Sequence, residues 1–306
     1  MMKKTLYLSQ PVNLHVNLGQ LQFKLEDGTP KSYPIEDLGV VLLDHPQITV
    51  TYTTLALLMQ AGAVVVGCDE KRMPCGLMFP LEGNYLQALR MRTQADTPAP
   101  LRKRLWQQTV VAKISNQASL LAKKGLNANP LQYWAKEVKT DDSLNHEARA
   151  AAYYWEHLFT PLPHEKLQNF RRAREGAVPN HLLNYGYAIL RALTAKAIVG
   201  AGLHPSLGIH HQNQYNAFCL ADDLMEPYRP MVDFLVYELL EHHTQESLSG
   251  EITKTAKQHL LALPLKDVWM EGENSPLMVA IQRTATTLAL CFAKEKKEIS
   301  FPVLRF

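Results

Sequence analysis

Residues 202–230 read GLHPSLGIHHQNQYNAFCLADDLMEPYRP, and the rest of the chain takes its meaning from this stretch. Three histidines, His204, His210 and His211, precede a tight acidic cluster of Asp222, Asp223 and Glu226. The glycines and prolines before the cluster mark a loop, and the run after it has the composition of a helix. Asp223 and Glu226 are three apart and Asp222 and Glu226 four apart, so on a helix they share a face. Pro227 and Pro230 are tolerated only in a first turn or at a kink, which puts the acidic cluster at a helix start. Carboxylates are stabilised there by the helix dipole, so the plain reading is a set of acidic caps, with Asp222 as one of them. The sharper reading is a metal or acid–base site.

The same stretch resembles the signature of the CRISPR-associated spacer-acquisition integrases. In that family a histidine precedes an Asp-Leu/Ile-Met-Glu run that ends in Arg-Pro. The matching residues are His211, Asp223, Leu224, Met225, Glu226, Arg229 and Pro230. The resemblance implies that His211 and Glu226 are metal ligands, together with a glutamate from far upstream. His211 rather than His210 follows from alignment to Asn213-Gln214, and Asp223 is an outer or alternative ligand.

Working outward, 306 residues suffice to bury a large core, and two domains are expected. With 46% hydrophobic and 20% charged residues the composition is that of a soluble globular protein. Met1-Met2-Lys3-Lys4 leads into an alternating pattern rather than an apolar signal core, and no apolar run reaches membrane-spanning length. A cytoplasmic location is expected. Cys68, Cys75, Cys219 and Cys291 lack Cys-x-x-Cys spacing and read as reduced thiols, which argues against a zinc site.

Residues 1–80 are β-rich. Leu14, Val16 and Leu18, then Leu21, Phe23 and Leu25, alternate with polar residues around a turn at Gly19. Residues 38–43 and 63–68 are short apolar runs of the buried-strand type, with a short helix over 53–60 between them. Beyond residue 81 the pattern becomes helical, over 85–94, 101–124, 143–155, 180–190, 231–240, 254–263 and 275–294. Asn180 is the expected cap of one of these helices, and His242-His243 reads as exposed surface. The expected fold is α+β: a small N-terminal β-rich domain, then a larger all-α domain over 81–306.

Between residues 81 and 140 there are ten Lys and Arg against three Asp and Glu, a local net of +7 in a chain whose total is +3. Such an asymmetry is the sequence form of a polyanion-binding face, or else of a solvated helix surface. Arg90, Arg92, Arg102, Lys103, Arg104 and Lys113, with Arg171, Arg172 and Arg174 further on, are the candidate contacts to DNA phosphates.

By resemblance, the upstream ligand is Glu147, in the run Asn145-His146-Glu147-Ala148-Arg149-Ala150-Ala151-Ala152-Tyr153-Tyr154. Asp142 or Ser143 caps that helix. A glutamate before alanines is by itself only a good helix former, and its combination with His211 and Glu226 makes it specific. The family reaction is attack of a DNA 3′-hydroxyl on a phosphodiester, which inserts short duplexes into a CRISPR array. Two carboxylates and an imidazole suit Mg²⁺ or Mn²⁺, and the imidazole favours Mn²⁺. The resemblance further implies double-stranded DNA (spacer precursor and repeat) as partner and a homodimer through residues 1–80. It also implies a small companion adaptation protein that bridges two dimers, and a link to the effector nuclease of the same system. The other readings are a non-catalytic duplex-binding subunit, or a plain metal-dependent nuclease acting on branched DNA.

Overall fold

The computed structural model describes residues 3–70, 72–80, 83–168, 170–173, 178–242 and 250–306. The chain divides into two compact units, Met1–Gly83 and Asn84–Phe306.

The first unit holds β1 (Lys4–Leu8), β2 (Asn13–Asn17), β3 (Gln20–Lys24), β4 (Pro30–Pro34), β5 (Leu38–Leu43), β6 (Thr49–Val50), α1 (Tyr52–Gln60), β7 (Val64–Cys68) and β8 (Pro74–Met78). One sheet has the order β1-β5-β7-β8, parallel except for the last pair. Its central strand β5 is buried along almost its whole length, which is why residues 38–43 read as a continuous apolar run. The other sheet has the order β4-β3-β2-β6. Here β2 and β3 pair antiparallel with Val16 opposite Leu21, and one face carries the buried Leu14, Leu21 and Phe23. The hairpin between them turns on Leu18 and Gly19, at φ 48° and 71°, the left-handed pair that a two-residue turn requires. Leu6, Leu8, Leu38, Val41, Leu58 and Val65 join these side chains in a single core.

The second unit contains α2 (Gln87–Ala95), α3 (Ala99–Lys123), α4 (Asn129–Glu137), α5 (His146–His157), α6 (Asn180–Gly200), α7 (Cys219–Met225), α8 (Arg229–His242), α9 (Lys254–Leu260) and α10 (Leu277–Phe292). Pro98 and Pro100 start α3, where a proline costs no helical hydrogen bond. The buried positions of α3 include Leu105, Thr109, Lys113, Asn116, Gln117 and Leu120, one face at helical spacing. Helix α6 is buried on most sides and packs against α7, α8 and α10. A side chain at Gly186 would strike Val232 of α8, so the glycine is what lets these two helices approach so closely.

The α+β architecture is as the sequence predicts, with one departure inside the helical unit. Residues 267–276 form a hairpin of β9 (Asp267–Met270) and β10 (Glu273–Pro276), turning on Glu271 and Gly272 at φ 53° and 91°. The last helix therefore starts at Leu277 rather than Ser275, because residues 273–276 are engaged in strand pairing. Asn180 is not a helix cap: its Oδ1 accepts from the Ala173 amide and from Arg172. No helix among the described residues is long and apolar enough to cross a membrane.

Candidate active site

Glu147 is placed by the start of α5. The Asp142 carboxylate accepts from the His146 amide and the Glu147 amide, both at 2.8 Å, and so ties down the first turn of the helix. Asp142, not Ser143, is the capping group. Two turns further along, the Tyr154 hydroxyl donates to Asp233 Oδ2 of α8 at 2.8 Å, while Tyr187 of α6 donates to Oδ1 at 2.5 Å. This buried carboxylate joins the helix of Glu147 to the helix that follows Glu226. Burial pushes the Asp233 carboxyl up to about 7, in spite of its two hydroxyl donors.

The acidic cluster spans the start of one short helix and the start of the next turn. Asp222 is in the first turn of the seven-residue α7 and Asp223 follows it, while Glu226 opens a 3-10 turn, Glu226–Tyr228, that leads into α8. Pro227 and Pro230 are accommodated at this kink. Asn116 of α3 holds the kink by donating to the Pro227 carbonyl at 2.7 Å, and it also binds Pro302 and Leu304 near the end of the chain. Asp222 is not a cap but accepts from Arg191 and Asn216, each at 2.7 Å.

Asp223 has no exposed surface and organises the histidine loop. Its Oδ2 accepts from the amides of Ile209 (2.7 Å) and His210 (2.9 Å), and its Oδ1 from the His211 amide (3.2 Å). Oδ1 also pairs with His211 Nδ1 at 2.5 Å. That hydrogen bond is the main cause that raises the His211 pKa above the usual imidazole value, against the opposing effect of burial. In the neutral ring it places the proton on Nδ1 and leaves the Nε2 lone pair available. Gly208 is needed here, since a Cβ would collide with the His211 carbonyl oxygen and lie 2.8 Å from Asp223 Oδ2. His210 stacks flat on the buried Trp106 of α3, with ring centroids 4.1 Å apart and planes at 7°.

Glu147 and Glu226, far apart in sequence, meet at one ammonium. Lys113 Nζ is 2.6 Å from Glu147 Oε1 and 2.6 Å from Glu226 Oε2. Arg229 adds a contact of 2.9 Å to Glu226 Oε1, and its guanidinium lies over the Tyr187 ring at 4.9 Å. Burial works against charge on Lys113, but Glu226 and then Glu147 outweigh it and hold the ammonium above the ordinary lysine value. Glu226 is buried too, yet Arg229 and then Lys113 keep its carboxyl below the usual range. Among the described residues no three His, Cys, Asp or Glu side chains stand in metal-ligating geometry. The lysine fills the space between the two glutamates. The donor types nonetheless suit a hard divalent ion: two carboxylates already share one cation, and His211, backed by Asp223, feels the Glu226 charge.

A family model described as CRISPR associated protein Cas1 matches residues 6–262. The chain belongs to the Cas1 family. A relative in Neisseria meningitidis serogroup C (strain 8013), named CRISPR-associated endonuclease Cas1, is 34% identical over 280 residues, which covers 90% of this chain and 88% of the relative. Among solved structures, a casposase bound to integration product superposes with a TM-score of 0.79 at 21% identity, covering 98% of this chain and 92% of the casposase chain. A Cas6-RT-Cas1–Cas2 complex gives a TM-score of 0.75 at 22% identity over 97% of this chain and 35% of the other. These structures share the fold. The sequence relatives place the chain in a family of enzymes, the Cas1 endonucleases.

On this Cas1 fold the basic residues expected to face DNA divide into two groups. Arg92, Lys103, Arg104 and Arg171 are exposed, and Arg102 is half-buried at the edge of a cleft of about 380 Å³ that His211, Gln212 and Asn216 also line. Arg90, Lys113 and Arg172 are engaged within the protein. Arg90 donates to the Ala201 carbonyl at 2.9 Å, and Arg172 reaches Asn180 and Asn184 at 2.9 and 2.6 Å. Lys113 lies on the buried face of α3 instead of its solvent face, so it contacts carboxylates rather than solvent. Arg174 and His243 lie outside the described residues. Sequence reasoning missed Asn116 and Asp233, and it assigned Lys113 to the DNA-facing surface rather than to the pair of glutamates. For Lys113 the signal was present, since it falls on the apolar stripe of α3, four residues after Thr109 and eight after Leu105.

Proposed function

We propose that the chain is a divalent-metal-dependent DNA integrase, which inserts short duplexes into a CRISPR array through attack of a DNA 3′-hydroxyl on a phosphodiester. The observation that carries this reading is the convergence of Glu147 and Glu226 on one cation position, beside a histidine held by Asp223. Mg²⁺ or Mn²⁺ bound by Glu147, Glu226 and His211 would offset charge at the pentavalent phosphorus and polarise the attacking or leaving oxygen. Bond count is conserved in the exchange, so no covalent enzyme intermediate is needed.

The chain's own residues do the rest. Asp223 fixes the His211 ring and its tautomer, with Nε2 left for the ion. Arg229, steadied on Tyr187, keeps Glu226 ionised within a buried setting. Arg92, Arg102, Lys103, Arg104 and Arg171 would hold duplex phosphates and orient the reacting strands. Residues 1–80 would form the homodimer contact. A small companion protein would bridge two dimers, in line with the Cas1–Cas2 complex of similar fold, and the effector nuclease of the same system is a further partner.

The test is incubation with a short duplex, supercoiled plasmid, the companion protein and Mn²⁺ or Mg²⁺. The expected product is joined strands. Glu147→Ala, His211→Ala and Glu226→Ala should each abolish joining and retain most duplex affinity, because binding is spread over many basic contacts. Shortened strands without joining would instead indicate a plain nuclease, and unchanged DNA with intact binding a structural subunit.

A further inference from the structure

Lys113 is an unusual neighbour for two carboxylates that are to bind a divalent ion. Its ammonium sits 2.6 Å from an oxygen of each, and its side chain is only 11% exposed. Glu147, Glu226, Lys113 and Arg229 together carry two negative and two positive charges, so the group is neutral as it stands. A divalent ion added to this set would meet a positive charge already lying between its ligands. The two basic residues are not equivalent. Arg229 is planar and stacked on Tyr187, whereas Lys113 is a flexible four-carbon chain ending in a point charge. Of the two, Lys113 is the one built to move. A phosphodiester brought to the reacting position would offer that ammonium a third anion, beside the two carboxylates it already contacts.

On the reading that this site takes a divalent ion, we propose that Lys113 is a displaceable stand-in cation. It holds Glu147 and Glu226 together before loading and yields them when a DNA phosphate draws its ammonium away. DNA and metal then load the site together. Because such coupling is reciprocal, Mn²⁺ should tighten duplex binding by the same factor as the duplex tightens Mn²⁺. The lysine would thereby keep the ion from the glutamates until substrate is present.

The experiment measures Mn²⁺ affinity from the electron paramagnetic resonance signal of the free ion, with and without a short duplex. It compares wild type, Lys113→Met and the double variant Lys113→Met/Glu226→Gln. Without DNA, Lys113→Met should bind Mn²⁺ about tenfold or more tightly than wild type, as expected from removing one competing charge at contact distance. The duplex should tighten Mn²⁺ binding clearly in wild type and much less in Lys113→Met. The double variant should lose the gain. Equal or weaker Mn²⁺ affinity in a folded Lys113→Met would overturn the proposal, as would a DNA effect that persists undiminished in it. If Lys113→Met fails to fold, Lys113→Gln replaces it, with the same outcomes required. A wild-type affinity that ignores DNA also refutes the exchange. Absence of Mn²⁺ binding in every protein, with and without DNA, would remove the metal reading itself, whereas equal binding in all but the double variant would remove only the role of Lys113.

Discussion

Replacing Asp223 by Asn tests how the histidine loop is held. The carboxylate has no exposed surface and accepts from four groups, two on each oxygen: the Ile209 and His210 amides on Oδ2, and the His211 amide and Nδ1 on Oδ1. An asparagine keeps one accepting oxygen. However its amide is turned, the NH₂ end faces two N–H donors that it cannot satisfy. Two hydrogen bonds to a charged group are lost, at about 1.5–3 kcal/mol each. Some relaxation of the loop returns part of this, which leaves an expected destabilisation of about 3–5 kcal/mol. Urea denaturation of both proteins measures it, as a lower midpoint at unchanged slope. In the same variant the His211 pKa should fall, because its largest raising cause is the bond to Asp223; imidazole NMR reads this directly. A loss under about 1 kcal/mol together with an unshifted His211 would refute the clamp.

Gly208→Ala should damage the same loop from outside the carboxylate, at about 1–3 kcal/mol, since its Cβ collides with the His211 carbonyl; denaturation at wild-type stability would count against the packing described. Reversal of Arg102, Lys103 and Arg104 to Glu should weaken duplex binding and flatten its salt dependence. It should leave the fold intact, because the surface pair it breaks, Lys103–Asp141 at 2.7 Å, contributes only about 0–1 kcal/mol. Unchanged affinity across a salt series would exclude this face. The raised carboxyl of Asp233, at about 7, gives a stability contribution that is full below the ordinary aspartate value and is lost as pH rises towards neutrality. The slope is at most about 1.4 kcal/mol per pH unit, and Asp233→Asn should remove it. His211, also raised, acts in the same direction at higher pH. Identical slopes for wild type and Asp233→Asn between roughly pH 4 and pH 7 would refute the assignment.

Much of this protein was legible in local pattern. Alternation at residues 14–18 and 21–25, the apolar runs at 38–43 and 63–68, and the helical period across 101–124 reflect side-chain directions that the backbone imposes on near neighbours. The hairpin at 267–276 escaped because each of its strands is only four residues long and its turn, Glu271-Gly272, lies in a segment with no alternating apolar pattern. Within the site, the spacing of His211 and Glu226 was readable because Asp223 and the loop it clamps lie in one continuous stretch.

Local pattern is enough for the two-part α+β plan, the acidic-histidine motif and the excess of basic residues. Which of those basic residues are surface charges and which are internal depends on long-range packing. Lys103 and Lys113 are both lysines of α3, ten residues apart, yet one is exposed beside Asp141 and the other is buried between two glutamates. The difference lies in what α5 and the kink before α8 bring to that face of the helix. Asp233, Tyr154, Tyr187 and Asn116 set those positions through contacts spanning 46 to 188 residues of chain. The energy of a charge depends on the groups packed against it, and for Lys113 those groups come from distant segments that meet only on folding.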